Sequence, residues 1–419
     1  MPRFFYTLLL WLLMPLVPLK LLWRAIRQPE YLRHVRERFG RFDARPERPV
    51  IWLHCVSVGE TRAAAPLVEL LLQRYPGHAI LLTHATPTGR AAGEQLFGDR
   101  VLRCYLPYDL PFAVKRFLRH FRPQVGLLLE TELWFNLIRA CKRRGIPLML
   151  VNARMSAKSA RGYARLGTLV EQGLANLAKV AAQTRGDAER LCELGAPEVE
   201  VTGNLKFDVA PPADTATRGE ALRRQLGAQR PVFLAASTRA GEEALVLDAV
   251  AKAAVPGLLT LIVPRHPQRF DAVAALLEQR GVAYVRRSAL RGETGVPQEI
   301  AVVLGDSMGE MPVYYASCDI AFIGGSLLPF GGQNLIEACA LGRPVLIGPH
   351  TFNFDEAASE AVMKGAAARV WHVAGLAAEL RELLEGAKAR KCMGEAGLAF
   401  AEANRGAARK TLRLVEKVI

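Results

Sequence analysis

From residue 49 the chain alternates short, nearly all-apolar runs with longer amphipathic stretches. The apolar runs are "VIWLHCVS", "AILLTHAT", "RVLRCYLP", "VGLLLE", "LMLVNAR", "KVAAQT" and "VEVTGN". Helical patterns such as "PFAVKRFLRHF" and "NLIRACKRRG" stand between most of them. Strands that are apolar on both faces and alternate with helices predict a parallel sheet covered on both sides. Residues 207–231, "FDVAPPADTATRGEALRRQLGAQRP", break the rhythm with Pro, Ala and charge, and read as a linker. The rhythm restarts with "VFLAAS", "LLTLIVPR", "AYVRRS", "AVVLGD", "IAFIGG" and "PVLIGPH", and helices from about residue 373 close the chain. The pattern therefore predicts an α/β protein with two doubly wound, Rossmann-like domains, at 41–206 and 232–419, enclosing a cleft. Ligands of such sheets bind beyond the carboxyl ends of the strands, so residues there carry most of the functional information.

The first 40 residues follow another pattern. Residues 4–19, "FFYTLLLWLLMPLVPL", carry no charge, and Lys20 interrupts the run just short of the ~20 residues that span a bilayer. No small-residue cleavage site follows; a basic segment with Arg24, Arg27, Arg33, Arg36 and Arg38 does. The expectation is a single N-terminal anchor with the bulk of the protein on the cytoplasmic side of an anionic membrane. A span and a hairpin in one leaflet both fit.

Composition narrows the partners. With 51% hydrophobic and 23% charged residues the chain is globular rather than disordered, and 419 residues exceed one core. Its net charge of +15 points to an anionic partner. The aromatics do not interleave with the basic residues, and no nucleic-acid signature is present, so no nucleic acid is expected. The seven cysteines are scattered through apolar runs without a CxxC, which suits buried free thiols in a reducing compartment.

"IAFIGGSLLPFGGQNLIEACALGRPVLIGPH" is the most specific stretch. A strand ends at Gly324, Gly325 and Ser326, and a second glycine pair leads into Asn334, Leu335, Ile336 and Glu337. Glycine pairs let a backbone approach a ligand closely, and a helix start supplies N–H groups for a phosphate. Glu337, three residues after Asn334, is placed to accept from a ribose diol; a capping box uses the same spacing. Arg265 and His266 in "VPRHPQRF", and Asp306, Ser307 and Met308 in "GDSMGE", follow two more strands. Neither GxGxxG after a first strand nor a GxxxxGK[ST] is present, and there is no DxD pair, so phosphate neutralisation without metal or other cofactor is expected.

In the first half, Glu60 ends "SVGE", Glu130 and Glu132 end "VGLLLETELW", Arg154 and Lys158 lie in "NARMSAK", and Lys206 lies in "GNLKFD". Acids and bases gathered at strand ends suit proton transfer beside an anionic substrate. Glu60 is also placed where an acid simply stabilises a helix N-terminus, by ~0.3–1 kcal/mol.

Together, "SVGE", "ETELW", "NARMSAKSARGY", "GNLKFD", "PRHPQRF", "GDSMGE" and the Gly324–Phe354 stretch resemble the 3-deoxy-D-manno-octulosonic acid (Kdo) transferases of lipopolysaccharide synthesis. The resemblance implies a GT-B fold, CMP-Kdo as donor and a lipid A precursor (lipid IVA) as acceptor, at the inner face of a bacterial inner membrane. Position by position it implies Glu60 as general base and Glu130 with Lys206 as stabilisers of the transition state. It further implies Arg265, His266, Asp306–Met308 and Asn334–Glu337 as the CMP-binding segments, which Gly325 and Ser326 join as candidates from the glycine-rich strand end. Glu132, Arg154 and Lys158 are candidates on the acceptor side. Arg239 and Gln333 stand where many members carry histidine, and Ser307 where threonine is common. The competing expectations are another GT-B transferase using a UDP-sugar and a lipid-linked acceptor, a nucleotide-sugar epimerase, and a tethered nucleotide-binding module without turnover.

Overall fold

The computed structural model describes residues 2–43, 46–290, 292 and 295–419. The chain divides into two compact units, Met1–Val209 with Arg405–Ile419, and Ala210–Asn404. Each is a seven-stranded parallel sheet covered by helices.

In the N-terminal unit the strands are β1 Val50–His54, β2 Ala79–His84, β3 Leu102–Tyr105, β4 Pro123–Leu129, β5 Leu148–Ala153, β6 Lys179–Ala182 and β7 Val199–Val201. All seven coincide with the apolar runs of the sequence. Their order is β3-β2-β1-β4-β5-β6-β7, so the winding reverses between β1 and β4. Side chains alternate across the sheet: Val50 and Trp52 join one core, Ile51 and Leu53 the other. Full burial of such side chains stabilises by roughly 1.5–3 kcal/mol each, which is why β1 contains no outward polar position.

Three helices near the start matter below: α1 Arg3–Leu13, α2 Leu16–Arg27 and α3 Val58–Arg74. The bend between α1 and α2 is 57°. Among the described residues no single helix is long and apolar enough to cross a membrane, although this bent pair together is.

The C-terminal unit contains β8 Val232–Thr238, β9 Leu259–Pro264, β10 Tyr284–Arg286, β11 Val302–Leu304, β12 Ile320–Ile323, β13 Val345–Ile347 and β14 Ala367–Arg369. Their order is β10-β11-β9-β8-β12-β13-β14, and the reversal falls between β8 and β12. The sequence pattern anticipates six of these strands. The seventh, β14, is three residues long and begins "AAR", with no β-branched side chain to announce it.

Two boundaries differ from the expected ones. The stretch 207–231 is not a plain linker: it contains the helix Thr215–Leu226, which packs closely on the helix Met311–Ser317. A Cβ on Gly219 would come within 2.4 Å of the Ala316 Cβ, so only glycine permits this approach. The end of the chain also leaves the second unit. Gly406 N and Ala408 N both donate to the Asp208 carboxylate at 2.6 Å, and Arg74 pairs with Glu416 at 2.7 Å. The last helix, Ala407–Glu416, buries Leu414 and Val415 in the core beneath α3.

Candidate active site

In the N-terminal unit the loops at the winding reversal carry the carboxylates. Cys55 and Val56 leave β1, Ser57 caps α3, and Glu60 sits in the first turn of that helix. Val56 N donates to Glu60 Oε2 at 2.8 Å, and Ser57 Oγ donates to Glu60 Oε1 at 2.9 Å. The helix-capping arrangement is therefore present. The charge state argues for more than a cap. A helix start and two donors hold an acid below its usual pKa. Here burial, and then the neighbouring Glu130 charge, outweigh those donors and push Glu60 up to about 7.

Glu130 follows β4, beside β1, and has a left-handed backbone with φ of 57°. Lys206 Nζ donates to Glu130 Oε1 at 3.2 Å, with both side chains half-buried. Lys206 lies in a single 3-10 turn, Leu205–Asp208, whose start is held from the sheet. The holder is Asn152, fully buried, with φ of 52° at an irregularity in the β5–β6 pairing. Its Oδ1 accepts from Leu205 N at 2.9 Å, and its carbonyl accepts from Gln183 Nε2 at 2.9 Å. Left-handed non-glycine residues cost of order 1–3 kcal/mol and cluster at functional sites. Among the described residues six non-glycine positions have this backbone, and two of them lie within this group.

The other candidates spread around it. Glu132 accepts from Trp134 Nε1 at 2.7 Å, and burial raises its pKa. Thr131 Oγ1 donates to the Arg154 carbonyl, tying the loop after β4 to that after β5. The latter loop is fixed from below by buried Asp187, which accepts from Met155 N at 2.6 Å. Lys158 stands exposed on the helix Ala157–Ala164.

In the C-terminal unit the loops after β8 and β12 meet. Gly324 lies against the β8 end, where a Cβ would come within 2.6 Å of the Ser237 carbonyl, and Gly325 has φ of 72°. One residue that sequence reasoning missed organises this pair. Glu242, fully buried at the start of the helix Glu242–Ala253, accepts from Arg239 N, Gly325 N and Leu327 N at 2.9, 2.5 and 3.0 Å. Its position after a strand, in "RAGE", repeats that of Glu60 in "SVGE", and that echo was the available signal. Its neighbour Glu243 binds Arg269 through both oxygens, at 2.5 and 3.0 Å.

The surface of these loops is positive. Arg239 Nη1 lies 2.7 Å from His266 Nε2, and its guanidinium sits over the Phe330 ring, 4.8 Å from the centroid. Arg265 Nε donates to Gln333 Oε1 at 3.2 Å. Partial burial, with Arg239, Arg265 and Arg269 nearby, lowers the His266 pKa. Such a field suits a phosphate.

Asn334 Nδ2 donates to Glu337 Oε1 at 3.0 Å, and Asn334 Oδ1 accepts from Ile336 N at 3.1 Å. The helix that follows has only five residues, Ile336–Ala340, so its dipole is small. Leu335 and Ile336 are core side chains that offer a ligand only their backbone. Ser326 is buried and accepts from Gly348 N at 2.8 Å. Asp306 turns its carboxylate to Ser288 N and Oγ, at 2.8 and 2.6 Å. Ser307 bonds Glu310 and Tyr314, and Met308 is exposed. Among the described residues no three His, Cys, Asp or Glu side chains gather as metal ligands would.

A family described as 3-deoxy-D-manno-octulosonic-acid transferase (kdotransferase) matches residues 33–209. The chain is 47% identical to a 3-deoxy-D-manno-octulosonic acid transferase of Bordetella pertussis, over 99% of both chains. It is 38% identical to one of Haemophilus influenzae, over 99% of this chain and 98% of that one. Among solved structures it is similar to the UDP-GlcNAc 2-epimerase of Neisseria meningitidis bound to UDP-GlcNAc. The TM-score is 0.62 at 18% identity, covering 88% of this chain and 100% of that one. A glycosyltransferase of Rickettsia africae gives a TM-score of 0.61 at 14% identity, covering 89% and 99%. At such identities the two structures speak to fold alone, that of GT-B-like proteins with two parallel-sheet α/β domains.

Proposed function

The chain belongs to the 3-deoxy-D-manno-octulosonic acid (Kdo) transferase family and is a glycosyltransferase, and on that premise we propose that it transfers Kdo from CMP-Kdo to a lipid A precursor. The proposed place is the cytoplasmic face of a bacterial inner membrane. The observation that carries the chemistry is Glu60: a half-buried carboxyl held at about 7 near a second carboxylate that is itself paired with a lysine. A group titrating near neutrality is matched to taking a proton and passing it on.

In the proposed reaction the Glu60 carboxylate takes the proton of an acceptor hydroxyl. The hydroxyl oxygen forms a bond to the anomeric carbon of Kdo. The bond from that carbon to the phosphate oxygen breaks, and its electron pair leaves with CMP. One displacement inverts the anomeric centre. Lys206, oriented by Glu130, stabilises negative charge developing on the departing phosphate. The arginines around His266 and the backbone N–H groups of the Gly324–Ser326 loop receive CMP. Glu337, positioned by Asn334, accepts from its ribose. No metal is assigned a role.

Glu60→Gln tests the base. The expected result is a loss of ~10²–10⁴ in kcat with CMP affinity within twofold of the native enzyme. Activity within tenfold of native contradicts the assignment and leaves Glu60 as a helix cap. Competition of CMP against UDP separates this reading from a UDP-sugar transferase of the same fold, which would retain UDP in preference.

A further inference from the structure

We infer that Glu132 accepts a hydrogen bond from a sugar hydroxyl in the reacting complex, and that Trp134 is the positioning residue that aims its carboxylate there. The inference rests on the proposed transfer and adds to it a contact that selects the sugar.

Only half of the Glu132 carboxylate is engaged. Trp134 Nε1 donates to Oε2 at 2.7 Å, and among the described residues Oε1 has no partner. No described lysine or arginine pairs with it, in a chain where cations outnumber acids 55 to 40. Glu130, two residues earlier, has Lys206 at 3.2 Å. An ionised carboxylate has room for about four hydrogen bonds. Burial, opposed by the Trp134 donor and aided by the Glu130 charge, raises the Glu132 pKa, so the ion lacks donors that it needs. A sugar hydroxyl supplies one without adding charge. A phosphate in that place would add a like charge to three carboxylates.

The position is close to the proposed base. Glu132 lies in the loop after β4, which pairs with β1, and β1 leads to Glu60. Burial, then Glu130 and more weakly Glu132, raise the Glu60 pKa. In the proposed reaction both sugars meet at Glu60. The acceptor hydroxyl gives up its proton there, and the anomeric carbon of Kdo receives the oxygen. The hydroxyl that reaches Glu132 therefore belongs to the transferred sugar or to the receiving one.

The indole that holds Glu132 is itself fixed. Trp134 meets the buried His54 ring edge-on, with centroids 6.1 Å apart. His54 Nδ1 lies 2.9 Å from Thr83 Oγ1, and burial lowers its pKa to about 3, so the ring beside the indole is neutral. The Trp134 carbonyl accepts from Ile138 N at 2.8 Å and starts the helix Phe135–Arg143. Buried Asp109 fixes that helix start, accepting from Asn136 N and Leu137 N at 2.9 and 2.8 Å. At the other end of the loop, Glu130 N donates to the Val151 carbonyl at 3.0 Å. A donor on so constrained a frame orients the carboxylate before the sugar arrives, which lowers the ordering cost of binding.

The test compares the purified full chain with Trp134→Phe, Glu132→Ala and the double variant, using CMP-Kdo and a tetra-acylated lipid A precursor in detergent. Rates are measured well above pH 7, where Glu60 is ionised. Phenylalanine keeps a ring beside His54 and removes the N–H. The KM for one of the two substrates should rise at least about tenfold in each single variant, the scale of a lost hydrogen bond to a charged group. That rise should exceed any fall in kcat, with affinity for CMP alone within twofold of native. The double variant should be no worse than Glu132→Ala. A rise for CMP-Kdo assigns the hydroxyl to the transferred sugar, and a rise for the lipid assigns it to the receiving sugar. Both KM values within twofold of native in Glu132→Ala overturn the hydroxyl contact, whether or not Trp134→Phe folds. Additive losses in the double variant overturn Trp134 as the positioning residue. No transfer by the native chain overturns the proposed reaction, and this inference with it.

Discussion

Glu60 and Glu242 occupy the same place in two similar units, one residue after a glycine at the start of the helix that follows the first strand. Their surroundings separate their roles. Glu242 is saturated by backbone N–H groups and acts as a clamp. Glu60 has two donors and a like charge nearby, and burial leaves it near neutrality. The base works only when deprotonated, so kcat/KM should fall about tenfold per pH unit below about 7. Glu130→Gln removes the charge that opposes Glu60 ionisation, so that limb should move to lower pH, whatever the variant does to kcat. A limb that stays in place in a pH–rate profile would mean that Glu130 does not act on Glu60. The sequence marks Glu60 by position. It does not show the proximity of Glu130, which arises because β1 and β4, far apart in the chain, are neighbours in the sheet.

Elements translate these positions into geometry, and most were legible because strands buried on both faces must be nearly all apolar. The features that escaped are those without a local signal: three-residue β14, the glycine-dependent docking of Thr215–Leu226, and the final helix held by Asp208. The bulge at Asn152 also leaves no mark in the hydrophobic pattern. It holds the turn that carries Lys206, so its effects should run through that lysine. Asn152→Gly keeps the left-handed backbone and loses the bond to Leu205 N. It should lower kcat about tenfold with little change in donor KM, and lose its effect when Lys206 is already Ala. Additive losses in that double-mutant cycle would make Asn152 merely structural. Asn152→Ala should in addition lower stability by ~1 kcal/mol or more, since alanine resists this backbone, and thermal unfolding reads it. In the other unit, Glu337→Ala should weaken CMP binding by ~1–3 kcal/mol by calorimetry, the usual cost of a lost charged hydrogen bond. Unchanged affinity would leave Glu337 as a local partner of Asn334 only.

At the scale of the whole molecule, the N-terminal helices expose apolar side chains, and the two helices beside α1, Pro111–Phe121 and Phe135–Arg143, carry cations without acids. The net charge of +15 is visible in composition. Its concentration beside α1 appears only once two acid-free helices are placed next to each other. Burial leaves five of the seven cysteines without access to solvent, in keeping with the apolar runs around them, while Cys192 and Cys392 are exposed. The family supplies the transfer of Kdo, and the proposed reading assigns the base to Glu60 and the phosphate to the positive loops around His266. The most direct measurement is the mass of the product formed when the purified full chain meets CMP-Kdo and a tetra-acylated lipid A precursor. The account predicts an acceptor heavier by one or more whole Kdo residues, with CMP released in equal number. An unchanged acceptor, or one modified only when a UDP-sugar replaces CMP-Kdo, would contradict it.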